Sequence, residues 1–383
     1  MIRACANQSR IRINISAGNC KKGDSGIFFL SQERRFLVKR YLQFVILIVG
    51  IAAAFMLAAC GSKEEAAETE AAPEITADTL KIFGTLPEEA TPTNYEMSEE
   101  LVDLGRMLYY ENRLSFNENM SCNTCHGLNN YGMDGLRFSF GHTGNPVGRN
   151  SPTVYNAALH TAQFWDGRAA DVEEQAKGPI LAGGEMGMPS AERVVEVLKS
   201  IPGYLPYFEA AFPGDPDPIT YDHVGQAIGG FERRLMTPGR FDNFLAGDDT
   251  ALTEREQKGL ALFINTGCTA CHNGPALGGG MYATLGAQEP YTTNDLGRYA
   301  VTNNENDLYS FKVPSLRNIA VTGPYLHDGS IPTLEAMVQL MVRHQLGKEL
   351  TSEQVDDIVT FLRSLTGELS SEYTAQPELP SSS

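Results

Sequence analysis

Cys122-Asn123-Thr124-Cys125-His126 and Cys268-Thr269-Ala270-Cys271-His272 are the two stretches around which the chain reads. Two thiols spaced C-x-x-C and followed at once by His form the attachment signature of a c-type haem. Each thiol adds to one porphyrin vinyl group, and the adjacent imidazole is thereby carried beneath the iron as its proximal ligand. Paired cysteines also serve structural zinc, but a zinc site does not require His directly after each pair. The chain has only seven Cys and seven His in 383 residues, so two copies of the pentapeptide define a di-haem cytochrome with two covalently bound haem c.

Outward from these motifs, the remaining cysteines are Cys5, Cys20 and Cys60, too few for a disulfide framework once four thiols carry haem. Lys39-Arg40 precede an apolar run, Tyr41 to Ala59, that closes Leu57-Ala58-Ala59-Cys60-Gly61. A basic flank, an apolar stretch and small residues before a cut make a secretory signal. Its L-A-A-C ending resembles a bacterial lipobox, with lipid on Cys60. The run is also long enough for a plain transmembrane anchor. Either way the remainder is exported, and periplasm with a lipoprotein anchor is the expected location. Residues 1–36 are unusual ahead of such a signal, and translation is expected to begin near Leu37 or Val38.

The net charge is −17. Residues 1–59 hold nine of the 30 basic and two of the 47 acidic residues, leaving the rest at −24. Such a field excludes nucleic acid as a natural partner and suits a basic or dipolar electron donor.

The surroundings of the two motifs repeat. Ser98, Glu99 and Glu100 open a helix with Leu101, Leu104 and Leu108 on one face, and it carries Gly105-x-x-x-Tyr109. Thr253-x-x-Glu256 is a capping box ahead of Gly259-x-x-x-Phe263. After each motif a closing amphipathic helix is expected, near Asp222–Leu235 and Ser352–Leu365. The fold class is therefore mostly α: two cytochrome c-like haem domains in tandem with long irregular loops. Expected boundaries are a signal segment at 1–59, an acidic tether at 60–82, an N-terminal haem domain at 83–245, a C-terminal haem domain at 246–370 and a tail at 371–383. The domains meet near Thr237–Leu252, and residues 275–310 read as loop over haem.

Haem iron takes six ligands, and the sixth decides between electron transfer and chemistry. From residues alone the candidates are histidines 142, 160, 223, 327 and 344 and several methionines. His223 falls within a closing helix and reads as structural. His160 carries no further signal. His142 lies in Ser139-Phe140-Gly141-His142-Thr143-Gly144-Asn145-Pro146, a turn-rich setting suited to a ligand that can leave.

Three stretches resemble the bacterial di-haem cytochrome c peroxidases. They are the run from Ser121 to Pro189, the second C-x-x-C-H, and the segment from Phe311 to Leu350, which opens Phe311-Lys312-Val313-Pro314-Ser315-Leu316-Arg317-Asn318. The likeness covers roughly Phe83 to Gly367. It implies that the haem on Cys122, Cys125 and His126 is peroxidatic, that His142 caps its resting iron, that Glu185 is the distal acid–base and that Gln175 is a second polar residue of that pocket. It implies that Trp165, the only Trp, relays electrons between haems. It implies that the haem on Cys268, Cys271 and His272 receives electrons, with Met341 as sixth ligand. His344, three residues on and on the same helical face, is its competitor. The resemblance also implies Ca2+ between the domains, on Asn150, Thr322 and Pro324, oxygen donors that suit the ion.

The implied reaction is reduction of hydrogen peroxide with electrons from a small cytochrome c or cupredoxin. The family is commonly dimeric, so a homodimer is among the implied partners. Two rivals stand beside this reading. One is a di-haem maturase that oxidises a protein substrate; the other is an electron-transfer cytochrome with both irons permanently six-coordinate.

Overall fold

Residues 75–381 are described by a computed structural model. The signal, lipobox and most of the tether lie outside the described residues. Helix α1 (Glu99–Tyr109) starts where sequence places it: the Ser98 hydroxyl accepts the Leu101 N–H at 3.1 Å, satisfying one orphan donor of the first turn. Its buried face is Leu101, Leu104, Gly105, Leu108 and Tyr109. A one-turn helix, Cys122–Cys125, carries the first motif. Two more helices, α2 (Val172–Leu181) and α3 (Tyr221–Glu232), belong to the first bundle, with α3 packed against both α1 and α2. Two shorter helices between them, Ala191–Lys199 and Leu205–Ala211, add Val194, Leu198 and Phe208 to the same core.

The second bundle repeats the plan. Thr253 and Glu256 form the capping box that starts α4 (Glu254–Thr266), which Gly267 ends in the left-handed conformation at φ 100°. The second motif follows at once. Two short antiparallel strands, β1 (Tyr282–Thr284) and β2 (Ser310–Lys312), pair Ala283 with Phe311. Helix α5 (Leu334–Leu346) and helix α6 (Ser352–Ser364) close the domain, α6 packing on α4 and α5.

One contact is made twice. A Cβ on Gly105 would overlap the Ala227 carbonyl oxygen, and a Cβ on Gly259 would overlap that of Asp357. Each glycine thus lets the first helix of its bundle cross the last at backbone distance. Beside each crossing two aromatic rings meet: Tyr109 with Phe231 at 5.5 Å and Phe263 with Phe361 at 5.4 Å. The Gly-x-x-x-aromatic pattern thus joins first and last helix in both bundles, in two separate hydrophobic cores.

Three elements differ from expectation. Helix α3 ends at Glu232, three residues early, because the chain turns so that the Leu235 carbonyl accepts the Asn156 N–H at 2.8 Å. The stretch expected between domains holds a helix, Arg240–Leu245, whose Phe241 and Phe244 enter the second core. Asp242 of that helix pairs with fully buried Arg317 at 2.6 and 2.8 Å. Residues 275–310, read as loop, contain β1 and a short helix, Tyr299–Thr302.

The two ends of the described chain cross over. Ile75, Leu80 and Phe83, ahead of the first bundle in sequence, pack on the second core. Leu369 and Tyr373, beyond the second bundle, pack on the first. The tail is also tied there by Arg106 Nη2 to the Ala375 carbonyl at 2.8 Å.

Candidate haem sites

At both motifs the histidine is held by its Nδ1. His126 Nδ1 lies 2.9 Å from the Pro152 carbonyl, and His272 Nδ1 lies 3.1 Å from that of Leu277. A carbonyl only accepts, so Nδ1 bears the proton and Nε2 presents its lone pair, the tautomer an iron ligand needs. Burial pushes both imidazoles toward the neutral form, His272 down to about 4. Cys122 and Cys125 abut the first core and Cys268 the second, placing the thiols beside apolar walls. These donor sets fit covalent haem.

In the C-terminal half, Cys268, Cys271 and His272 line one cavity together with Met341. His344 does not line it; its Nδ1 instead contacts the Glu289 carbonyl at 2.8 Å, outside that cavity. Trp165 also lines the cavity, although it belongs to the N-terminal half of the sequence. Its indole N–H donates to the Asn150 carbonyl at 2.9 Å, and its own carbonyl accepts the Lys312 N–H at 2.8 Å. The loop behind it is clamped by charge: Arg149 reaches Asp166 at 2.6 Å and Asp295 at 2.7 Å.

Asn150, Thr322 and Pro324 line the same cavity. The Asn150 amide nitrogen donates to the Leu136 and Arg137 carbonyls, which turns its side-chain oxygen toward other partners. Among the described residues no group of three or more His, Cys, Asp or Glu gathers to hold a metal ion.

In the N-terminal half the two loops singled out by sequence meet. The His142 N–H donates to the Glu185 carbonyl at 2.7 Å, and His142 Nε2 lies 3.1 Å from the Gly183 carbonyl. The His142 ring packs over Gly187, where a side chain would collide with it. Gly141 lies against the Gly184 carbonyl as closely. Asn117 donates its amide to the His142 carbonyl at 2.7 Å, and Phe116 lies 5.3 Å from the imidazole. Burial raises the Glu185 carboxyl above its ordinary range, with Arg168 opposing. The Glu185 charge in turn reaches Cys125. Gln175 is half-buried on α2, one loop upstream of Glu185.

His223 is structural as read: Nδ1 contacts the Pro218 carbonyl at 2.7 Å and the ring stacks on Phe212. His327 stacks on Phe311 at 4.3 Å and lines the cavity, with its Nε2 3.2 Å from the Thr293 hydroxyl. Arg168 and Lys312 were not singled out by sequence reasoning. Both stand inside stretches quoted for their resemblance, but an isolated cation in a motif gives no sign of what it faces.

Two bundles with duplicated crossings, each carrying a C-x-x-C-H whose imidazole is oriented for iron, define a di-haem c-type cytochrome. Residues 99–250 match the di-haem cytochrome c peroxidase family and residues 256–366 match cytochrome c. The chain is 43% identical over 293 residues to the cytochrome c551 peroxidase of Pseudomonas aeruginosa, covering 75% of this chain and 84% of that protein. It is 45% identical over 282 residues to the cytochrome c551 peroxidase of Nitrosomonas europaea, covering 73% and 82%. A solved structure of a MauG-like protein associated with microbial copper homeostasis superposes with a TM-score of 0.68 at 29% identity, covering 76% of this chain and 97% of that one. The chain belongs to the di-haem cytochrome c peroxidase family.

Proposed function

We propose that this protein reduces hydrogen peroxide to water, H2O2 + 2 e− + 2 H+ → 2 H2O, with electrons from a small periplasmic cytochrome c or cupredoxin. The observation that carries the reading is the docking of the His142 loop on the loop of Glu185, a partly buried carboxyl beside Cys125. When bound, the haems supply the redox chemistry: the C-terminal one receives electrons singly and the N-terminal one delivers two to peroxide.

The chain's own residues do the rest. Glu185 takes the proton from one peroxide oxygen and returns it to the other, so that the O–O bond breaks with water as the leaving group. A carboxyl whose pKa is lifted by burial is a stronger base than an exposed one and an acid nearer neutrality. Gln175 is assigned to hold peroxide in that pocket. His142, on a glycine-flanked turn, is assigned to cap the resting N-terminal site and to withdraw once the other haem is reduced. Trp165, on the wall of the C-terminal cavity and fixed through both faces of its loop, is assigned the path between haems. Met341 would hold the C-terminal iron together with His272, and a thioether there would favour the reduced state relative to imidazole.

Asn150 with the Thr322 and Pro324 carbonyls is assigned to Ca2+, which would brace the Trp165 loop, since the Asn150 carbonyl already holds the indole. The domains are taken as 83–245 and 246–370. Lipid on Cys60 would tether the enzyme to a periplasm-facing membrane surface, and a homodimer is the assigned assembly. Among the described residues no helix is long and apolar enough to cross a membrane.

Peroxide turnover with a reduced donor, compared on oxidised and half-reduced protein, tests this. Turnover that appears only after one-electron reduction supports a peroxidase gated by His142. Turnover in both states removes the gate. Absence of turnover, with both haems low-spin throughout, leaves an electron carrier.

A further inference from the structure

Lys312 is buried, 8% exposed, at the end of β2, and no carboxylate pairs with it among the described residues. Its ammonium lies 2.9 Å from His160 Nδ1. An ammonium only donates, so His160 Nδ1 accepts and the imidazole proton sits on Nε2. That Nε2 is buried and has no partner. The ring cannot turn to find one, because it is wedged on Gly279, where a Cβ would collide with it. Gly279 is held by the Val313 carbonyl at 2.7 Å and holds Thr161 at 3.0 Å. Both His160 and Lys312 line the cavity that contains Cys268, Cys271 and His272.

A buried cation without a counter-charge and an orphaned N–H beside it are costly. Each is relieved by an anionic acceptor in that cavity, and because Nδ1 and Nε2 point to opposite sides of the ring, the ammonium and the Nε2–H need separate acceptors. Haem carries two carboxylates of its own. We infer that Lys312 and His160 receive the two propionates of the C-terminal haem, one on the Lys312 ammonium and the other on His160 Nε2. His160 comes from the N-terminal half and Lys312 from the C-terminal half, so the clamp closes across the two. The Lys312 N–H also holds the Trp165 carbonyl, which ties this anion site to the assigned electron path. Burial lowers the Lys312 ammonium to about 8 and holds His160 neutral, with Lys312 adding to the effect; a carboxylate on the ammonium restores the charged lysine.

This inference rests on haem at Cys268, Cys271 and His272, but not on peroxide chemistry. A fixed positive charge close to the haem disfavours its oxidised state. In the haem-loaded full chain, Lys312→Met therefore lowers the midpoint potential of the C-terminal haem, read by spectroelectrochemical titration. Lys312→Arg keeps the potential near that of the parent, and the N-terminal haem moves in neither variant. A Lys312→Met protein that carries both haems with an unshifted C-terminal potential overturns the inference.

A crystal structure of the unmodified holoprotein decides independently of whether the variant matures. One propionate within hydrogen-bond distance of Lys312 Nζ and the other within hydrogen-bond distance of His160 Nε2 is the expected result. Propionates held by other residues overturn the inference. Peroxide turnover enters neither measurement: loss of the peroxidase reading would leave both results interpretable, and intact turnover with an unshifted potential would sink this inference alone.

Discussion

Asn117→Ala is the substitution that weighs the gate. In the docked arrangement the His142 loop is held by three hydrogen bonds: its N–H to Glu185, its Nε2 with Gly183, and its carbonyl from Asn117. The first two involve the loop that carries the acid. The third comes from outside both and is removed by truncating Asn117. An exposed hydrogen bond of this kind contributes about 0.5–1 kcal/mol, which at 25 °C corresponds to about two- to fivefold in the ratio of docked to undocked loop. If docking competes with capping of the N-terminal iron by the same imidazole, that ratio appears directly in the half-reduced enzyme. The assay is the high-spin fraction at one-electron reduction, read optically and by electron paramagnetic resonance, with the rate of activation alongside. Asn117→Ala should lower the high-spin to low-spin ratio about two- to fivefold and leave turnover per activated molecule unchanged. His142→Gly serves as the limit, with no requirement for prior reduction. An unchanged ratio in Asn117→Ala, with both haems present, would refute the claim that these contacts enter the gate.

Glu185→Gln keeps size and hydrogen-bonding capacity but cannot move a proton; kcat for peroxide should fall about 10²- to 10⁴-fold with donor oxidation by ferricyanide unaffected, and stopped-flow turnover checks it. Met341→His exchanges a thioether for an imidazole and should lower the C-terminal potential, slowing reduction by the donor in the same preparation. Gly259→Ala places a methyl on the Asp357 carbonyl and should cost about 1–3 kcal/mol, seen as a lower thermal midpoint; Gly105→Ala should do the same in the other bundle. Burial opposes ionisation of Glu173, but Arg233 at 2.7 and 3.0 Å and the Tyr95 hydroxyl outweigh it, so its pKa lies below the ordinary 4.5. A depressed carboxyl contributes stability above its unfolded pKa and loses it as pH falls through the folded one. Glu173→Gln should therefore cost about 3 kcal/mol at pH 7 and flatten the acid limb of a stability profile below the ordinary value of 4.5.

What could be read from sequence was whatever chemistry or backbone geometry writes at fixed spacing. The two C-x-x-C-H motifs are covalent requirements, and Gly105 and Gly259 are steric ones, so both survive without a partner in view. The capping of α1 by Ser98 and of α4 by Thr253 is local in the same sense. The choice between Met341 and His344 was not of this kind. They share a helical face, and spacing does not show that Met341 lines the cavity of the second motif while His344 is tied to the Glu289 carbonyl. His160 and Lys312 were less legible still, being 152 residues apart. A lone histidine after Ala157-Ala158-Leu159 and one lysine in a strand have no joint signature.

The ends of the chain are illegible for a related reason. Residues 60–82 and 371–383 are polar and lack periodicity, which reads as a tether and a tail. Yet Ile75, Leu80 and Phe83 cover the second core while Leu369 and Tyr373 cover the first. Single apolar residues docking on a distant surface leave no period to detect. Their effect is mechanical. Each end of the described chain is pinned to the bundle farther from it in sequence, so separating the bundles would expose apolar surface on both cores. The clamp on the Trp165 loop by Arg149, Asp166 and Asp295 then adds a charged tie to bundles that are already held.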